Sequence, residues 1–309
     1  MIKKTCFIFL IYTLAISIVS VEAQDQDTKL LPVGEEAYQV LLQFFQYDKG
    51  VPLDVRIVDK TETANCIREK IVFTGTRNSR VPGYLAFPKN GKPPYPCVLL
   101  LHGYTLSKSA WWEDIQDAHG NEWKYAKIAN SILSEGYAVL ALDAPYHGER
   151  RSSNDYEPPG NIFFVNKWGY KLIDSAAQST IEYMRALDYI VTRADIDSTR
   201  IGIFGHSMGG VMTFMVTAID PRVKVSVASA APTTKNRYLY YSTSNFAPHI
   251  TGPFLMLMGR KDDWYTVDNA EQVYNLIKSR IKNIIWYDSG HNLPIKHVKD
   301  VVNWFKEHL

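Results

Sequence analysis

The chain has 309 residues, 34 Lys+Arg against 32 Asp+Glu, three Cys, 46% apolar and 21% charged residues. That apolar fraction excludes a disordered chain, the near-zero charge leaves no basic footprint for nucleic acid, and three Cys cannot build a disulfide scaffold. The length suits one α/β domain of roughly 250 residues or more, or two smaller domains of roughly 150.

At the start, Lys3 and Lys4 precede an uncharged apolar stretch from Cys6 to Val21, and small residues stand at Val21 and Ala23. This pattern predicts a secretory signal over residues 1–23, cut after Ala23, and a secreted or periplasmic protein. The apolar run is short of the ~18 residues of a membrane span, so no stable membrane insertion is expected. Removing residues 1–23 leaves 286 residues with 32 basic and 31 acidic side chains, and Cys66 and Cys97 as the remaining cysteines.

Next, Gly34–Gln46 reads as a helix with Ala37, Val40, Leu41, Phe44 and Phe45 on one stripe. Extended segments near Ile67–Thr74 and Val81–Phe87 flank the turn material Gly75-Thr76-Arg77-Asn78 and predict a hairpin. Short, continuous apolar runs follow at Cys97–Leu101, Ala138–Leu142, Ile201–Phe204, Val223–Ala228, Phe254–Met258 and Ile284–Tyr287. Such runs mark strands buried on both faces of a parallel sheet. Helical stretches lie between them, at about 122–134, 174–193, 208–219, 266–280 and 294–307. The alternation predicts an α/β fold: a mostly parallel sheet with helices on both faces, entered by an antiparallel hairpin. The stretch Arg150–Gly169, with Pro158-Pro159-Gly160 inside it, reads as part of a cover loop over about 144–170.

Chemistry concentrates at the carboxyl ends of these strands, the edge where open α/β sheets bind ligands. Gly205-His206-Ser207-Met208-Gly209-Gly210 stands between a buried strand and an apolar helix. Two glycines around a serine allow a sharp turn that lifts the hydroxyl above the sheet. A serine hydroxyl needs a base, and the base needs an orienting group. Downstream, in the order acid then histidine, Gly259-Arg260-Lys261-Asp262 follows one strand and Gly290-His291 follows the next. Ser207, His291 and Asp262 are therefore the predicted catalytic residues, with the adjacent Asp263 as the other candidate acid. The predicted oxyanion donors are the N–H of Met208, at a helix start, and that of Tyr104, after His102-Gly103. Asp143, at the end of a different strand, is the outside candidate for the acid and reads as a loop-structuring residue, and Asp288 reads as a solvated carboxylate. No spacing of His, Cys, Asp and Glu resembles a metal site, so neither metal nor cofactor is expected.

The stretches Arg80–Pro88, Leu99–Tyr104, Leu142–Arg150, Arg200–Gly210, Gly259–Asp262 and Ser289–His291 resemble the α/β-hydrolase superfamily. They are similar in particular to dienelactone hydrolases, acetyl xylan esterases and short prolyl-oligopeptidase-like esterases. The resemblance implies an α/β-hydrolase fold spanning residues 24–309, with an N-terminal helix and hairpin at 34–88 and a catalytic core at 95–309. It also implies hydrolysis of a carboxylic ester, of a small molecule or of a carbohydrate. Dienelactone hydrolases carry Cys where this chain has Ser207. On the superfamily's usual strand order two strands separate Cys66 from Cys97, about 14 Å apart, beyond the ~7 Å reach of a disulfide.

Aromatic residues gather on the loops at the same edge. Trp111, Trp112, Trp168, Tyr238 and Trp264 are candidate walls of a substrate pocket suited to aryl groups or sugar-ring faces. Each has an alternative place in loop core. Arg150, in His147-Gly148-Glu149-Arg150, either touches substrate or belongs to a loop-stabilising cluster. His102 and His206 read as packing or loop hydrogen-bonding residues. Two other functions remain in view: a serine peptidase for short peptides, and a non-catalytic binding module on a hydrolase fold.

Overall fold

The computed structural model describes residues 29–104, 106–113, 115–116, 122–123, 125–151, 169–232 and 239–309. The expected signal (1–23) lies outside these residues, as does most of the expected cover loop.

In chain order the elements are α1 (Glu35–Leu42), β1 (Arg56–Glu62), β2 (Cys66–Thr74), β3 (Arg80–Pro88), β4 (Tyr95–Leu101), β5 (Ile115–Gln116), β6 (Glu122–Trp123), α2 (Tyr125–Ser134), β7 (Ala138–Leu142) and α3 (Gly169–Ile190). They continue with β8 (Ile196–His206), α4 (Met208–Ile219), β9 (Val225–Ser229), α5 (Thr243–Phe246), β10 (Phe254–Gly259), α6 (Val267–Leu276), β11 (Lys282–Tyr287) and α7 (His297–His308). Nine strands form one sheet in the order β1-β2-β3-β7-β4-β8-β9-β10-β11. The pairs β1/β2, β2/β3 and β3/β7 are antiparallel. From β7 to β11 every neighbour is parallel. This is the predicted sheet with its antiparallel entry.

The continuous apolar runs are explained by burial on both faces. In β4, Cys97, Leu99 and Leu101 enter the cluster under α3 and α4, while Val98 and Leu100 enter the one under α2 and α7. In β7, Ala138, Leu140 and Leu142 alternate in the same way with Val139 and Ala141. Alternate side chains point to opposite faces, so a strand apolar at every position is held from both sides. Among the described residues no helix is long and apolar enough to cross a membrane.

Two differences from the sequence reading have local causes. β1 was not expected: its residues Arg-Ile-Val-Asp-Lys-Thr-Glu are almost all exposed, because it is an edge strand paired on one side only. α6 stops at Leu276 because Ile277 turns extended (φ −62°, ψ 126°). Cys66 on β2 and Cys97 on β4 have β3 and β7 between them, and both are buried free thiols. Burial pushes the Cys97 thiol up to about 12, so it stays protonated and inert.

Candidate active site

Parallel strands deliver their carboxyl ends to one edge, and Ser207, Asp262 and His291 follow β8, β10 and β11 there. Ser207 has φ 56° and ψ −118°, a strained conformation for a residue with a Cβ. The flanking glycines are required by close approach. A Cβ on Gly205 would overlap the Gly209 carbonyl, and one on Gly209 would overlap the Leu101 carbonyl. The turn is held by the Ser207 N–H, which donates to the Ser229 carbonyl at 2.9 Å.

The structure brings the three predicted side chains together. His291 Nε2 lies 2.8 Å from Ser207 Oγ, and His291 Nδ1 lies 2.7 Å from Asp262 Oδ2. A carboxylate can only accept, so Nδ1 carries the hydrogen and Nε2 presents its lone pair to the serine hydroxyl. The Asp262 carboxylate is fully buried, and its Oδ1 accepts the Trp264 N–H at 2.9 Å. Burial and the neighbouring Asp262 carboxylate push the Tyr265 phenol well up. Asp263 is exposed, and Asp288 pairs with Lys261 at the surface, 2.8 Å away. Of the candidate acids, Asp262 is the one that meets the imidazole.

The nominated oxyanion donors belong to the two segments next to Ser207. Met208 opens α4, where the N–H groups of the first turn have no acceptor within the helix and the dipole favours negative charge. On the other side, a Cβ on Gly103 would stand 3.2 Å from Ser207 Cβ. The peptide leading into Tyr104 therefore runs beside the serine.

The aromatic candidates divide. Trp264 is 46% exposed, with its ring 6.1 Å from the His291 ring. Trp168 and Tyr238 lie outside the described residues. Trp111 is a correction: it is 1% exposed and packs edge-on against Tyr125 and Phe204. Trp112 joins the same side of the sheet, edge-on to Tyr84 with the Arg68 guanidinium over its ring. The short 3-10 turn Lys108–Trp111 tucks both indoles under the loop, against the sheet face shared with α2 and α7.

Of the two readings of Arg150, the substrate contact is corrected in favour of the cluster. Its guanidinium meets the buried Glu182 carboxylate at 2.5 and 3.0 Å, the Ser79 hydroxyl at 3.2 Å and the Asp143 carbonyl at 3.2 Å. The cluster reading holds, because a carboxylate as buried as that of Glu182 needs a fixed cation.

Sequence reasoning missed Lys108. It is 1% exposed, with Nζ 2.7 Å from Asp143 Oδ2 and 2.6 Å from Glu149 Oε1. Nothing in Thr-Leu-Ser-Lys-Ser signals this, since a lysine among small polar residues reads as solvated.

Three histidines around the site are buried and held neutral. Burial lowers His102. Burial, then the nearby His102, lowers His147 to about 3. Burial, then His291 and His297, take His206 well below its ordinary value. In the unfolded chain all three bind protons near pH 6.5. Between that value and the depressed folded values the unfolded state binds more protons, so stability rises with pH there and is lost as pH falls. Each group tilts stability by up to about 1.4 kcal/mol per pH unit. Tm is therefore expected to fall steadily from about pH 6.5 toward pH 4; a flat calorimetric Tm across that window would contradict the burial argument.

Comparison with known proteins bears on the family and the fold. YtaP of Bacillus subtilis (strain 168), which carries the name of a hydrolase, is 32% identical over 182 residues, covering 57% of this chain and 56% of YtaP. Acetyl esterase Axe7A of Xylanibacter ruminicola is 26% identical over 262 residues, covering 74% of this chain and 56% of the relative. The chain thus spans just over half the length of these two relatives. Acetyl xylan esterase 1 from Thermoanaerobacterium sp. JW/SL YS485 superposes with a TM-score of 0.68 at 18% identity, over 91% of this chain and 95% of that one, which shows a shared α/β-hydrolase fold. The family described as serine hydrolase (FSH1) matches residues 95–301, about two thirds of the chain and every residue from β4 to the His291 loop. The chain belongs to this serine hydrolase family.

Proposed function

We propose that the protein is an exported serine hydrolase that cleaves carboxylic esters of small molecules or carbohydrates through Ser207, His291 and Asp262. The observation that carries the reading is the continuous line from Asp262 through His291 to Ser207 Oγ, with bonds of 2.7 and 2.8 Å. Support for export is the pattern of residues 1–23. Support for the ester comes from the acetyl esterase relative and from the exposed Trp264 beside the imidazole.

Ser207 Oγ forms a bond to the ester carbonyl carbon while its proton passes to His291 Nε2. The carbonyl π pair becomes an oxyanion, received by the Met208 and Tyr104 N–H groups. Asp262 holds the imidazole and stabilises its cation. The tetrahedral species then collapses, and the leaving alkoxide takes the proton from Nε2 as the alcohol departs. Water attacks the acyl-enzyme by the reverse route, its proton passing to His291, and Ser207 is released. The base works only as neutral imidazole, with its Nε2 lone pair open toward the serine hydroxyl.

A panel of p-nitrophenyl esters of increasing acyl length, run beside aminoacyl-p-nitroanilides, tests the reading. Turnover is expected on the short acyl esters, with Ser207 labelled by a fluorophosphonate. Turnover confined to the anilides would replace the esterase reading with a peptidase. No labelling and no turnover would leave a binding module.

A further inference from the structure

The motif Leu142–Arg150 has no part in the chemistry above, yet its first loop residues lock onto the loop that carries Tyr104. Asp143 is fully buried. Its Oδ1 accepts the Lys108 backbone N–H at 2.8 Å, and its Oδ2 accepts Lys108 Nζ at 2.7 Å and the Glu149 N–H at 3.0 Å. Lys108 Nζ also donates to Glu149 Oε1 at 2.6 Å, and Lys70 closes the outer side at 2.7 Å from Glu149 Oε2. Gly148 has φ +51°, and a Cβ there would overlap the Asp143 carboxylate. Only glycine lets the chain fold back onto Asp143 in this way. A buried ion pair is a weak source of stability, because desolvation offsets much of the attraction. What this one does is fix one loop against another.

A second link stands on the other side of Tyr104. The Ala144 N–H donates to His102 Nε2 at 3.1 Å. Nε2 is then an acceptor, so Nδ1 carries the hydrogen and donates to the Gly103 carbonyl at 2.8 Å. The Gly103 C=O and the Tyr104 N–H belong to one planar trans peptide and point in opposite directions. Gripping the carbonyl oxygen therefore aims the N–H. The links at 102 and 108 bracket residue 104 and tie it at both sides to the residues after β7.

We propose that His102, Lys108 and Asp143 are positioning residues that hold the Tyr104 N–H on the developing oxyanion, so that the loop after β7 sets the catalytic power of the loop after β4. The inference rests on the hydrolytic reading above and goes beyond it by assigning a role to residues that touch neither substrate nor triad.

The test uses the full chain carrying Lys108→Met or His102→Gln. Measured are kcat and KM on p-nitrophenyl acetate, Tm, and the inhibition constant of an aryl trifluoromethyl ketone. Ser207 Oγ adds to the ketone carbon, its proton passes to His291 Nε2, and the carbonyl π pair becomes an oxyanion in the same place. A misplaced donor is expected to lower kcat about 10- to 100-fold with KM held within about threefold, and to weaken the ketone by a comparable factor. A merely structural role would lower Tm and leave kcat and ketone affinity of the folded protein unchanged, which would overturn the proposal. Should Lys108→Met not fold, because it strands a buried carboxylate, His102→Gln decides alone, since it removes the grip on Gly103 without leaving a charge unpaired. Wild-type protein that neither turns over esters nor binds the ketone would overturn the hydrolytic reading, and the inference with it.

Discussion

Ser207→Ala is expected to lower kcat on p-nitrophenyl acetate by roughly 10⁴–10⁶-fold, leaving only what binding and the oxyanion donors supply. The physical reason is that Ser207 Oγ is the hydroxyl that stands 2.8 Å from His291 Nε2. Folding should be indifferent to the change, because alanine keeps the Cβ and hence the strain at φ 56°. Ser207→Gly should lose turnover equally but gain stability, of order 1 kcal/mol, by relieving that strain. Comparing the two separates the nucleophile from the turn that presents it. Turnover within tenfold of wild type in the alanine variant would end the acyl-enzyme mechanism.

Asp262→Asn is expected to lower kcat by about 10³–10⁴-fold, whereas Asp263→Asn should stay within about twofold. Asp262 Oδ1 accepts the Trp264 N–H, and an asparagine would keep its carbonyl oxygen there. Its amide would then face His291 Nδ1 and force the hydrogen onto Nε2. The imidazole would point a donor at Ser207 and could not take its proton. The exposed Asp263 carboxylate meets no such partner in the triad. Steady-state kinetics of the two variants side by side decide the assignment, and equal losses in both would refute it.

The two kinetic effects differ in kind from that of the Lys108 clamp. In the proposed mechanism Ser207 and Asp262 lie on the proton path, so their removal changes which atoms can react. Lys108 and His102 act on direction, through a peptide plane, so their removal changes how well a donor meets a charge that exists only in the transition state. A kcat loss without a KM change is the signature of that second class.

Much of this protein is legible in its sequence. The apolar runs at Cys97–Leu101 and Ala138–Leu142 named buried parallel strands, because burial on both faces leaves no position for a polar side chain. Gly205 and Gly209 flagged the turn at Ser207, since close backbone approach excludes every side chain there, and the order Ser207, Asp262, His291 pointed to three side chains that the fold brings into hydrogen-bond contact. β1 escaped notice because an edge strand with one partner and little burial has no apolar period to read.

By itself, the sequence determined what depends on neighbours along the chain: strand and helix alternation, the elbow, and the types of side chain at the strand ends. Only the tertiary structure decided what depends on distance through space. It set Asp262 rather than Asp263 against His291, put Trp111 into the core with the half-buried Trp112 packed against it, took Arg150 to Glu182, and buried Lys108 against Asp143, 35 residues away. Periodicity reports whether a residue is buried on its own element. It carries no information on which charge, ring or carbonyl another loop brings to the same place, and that meeting is set by strand order and loop closure.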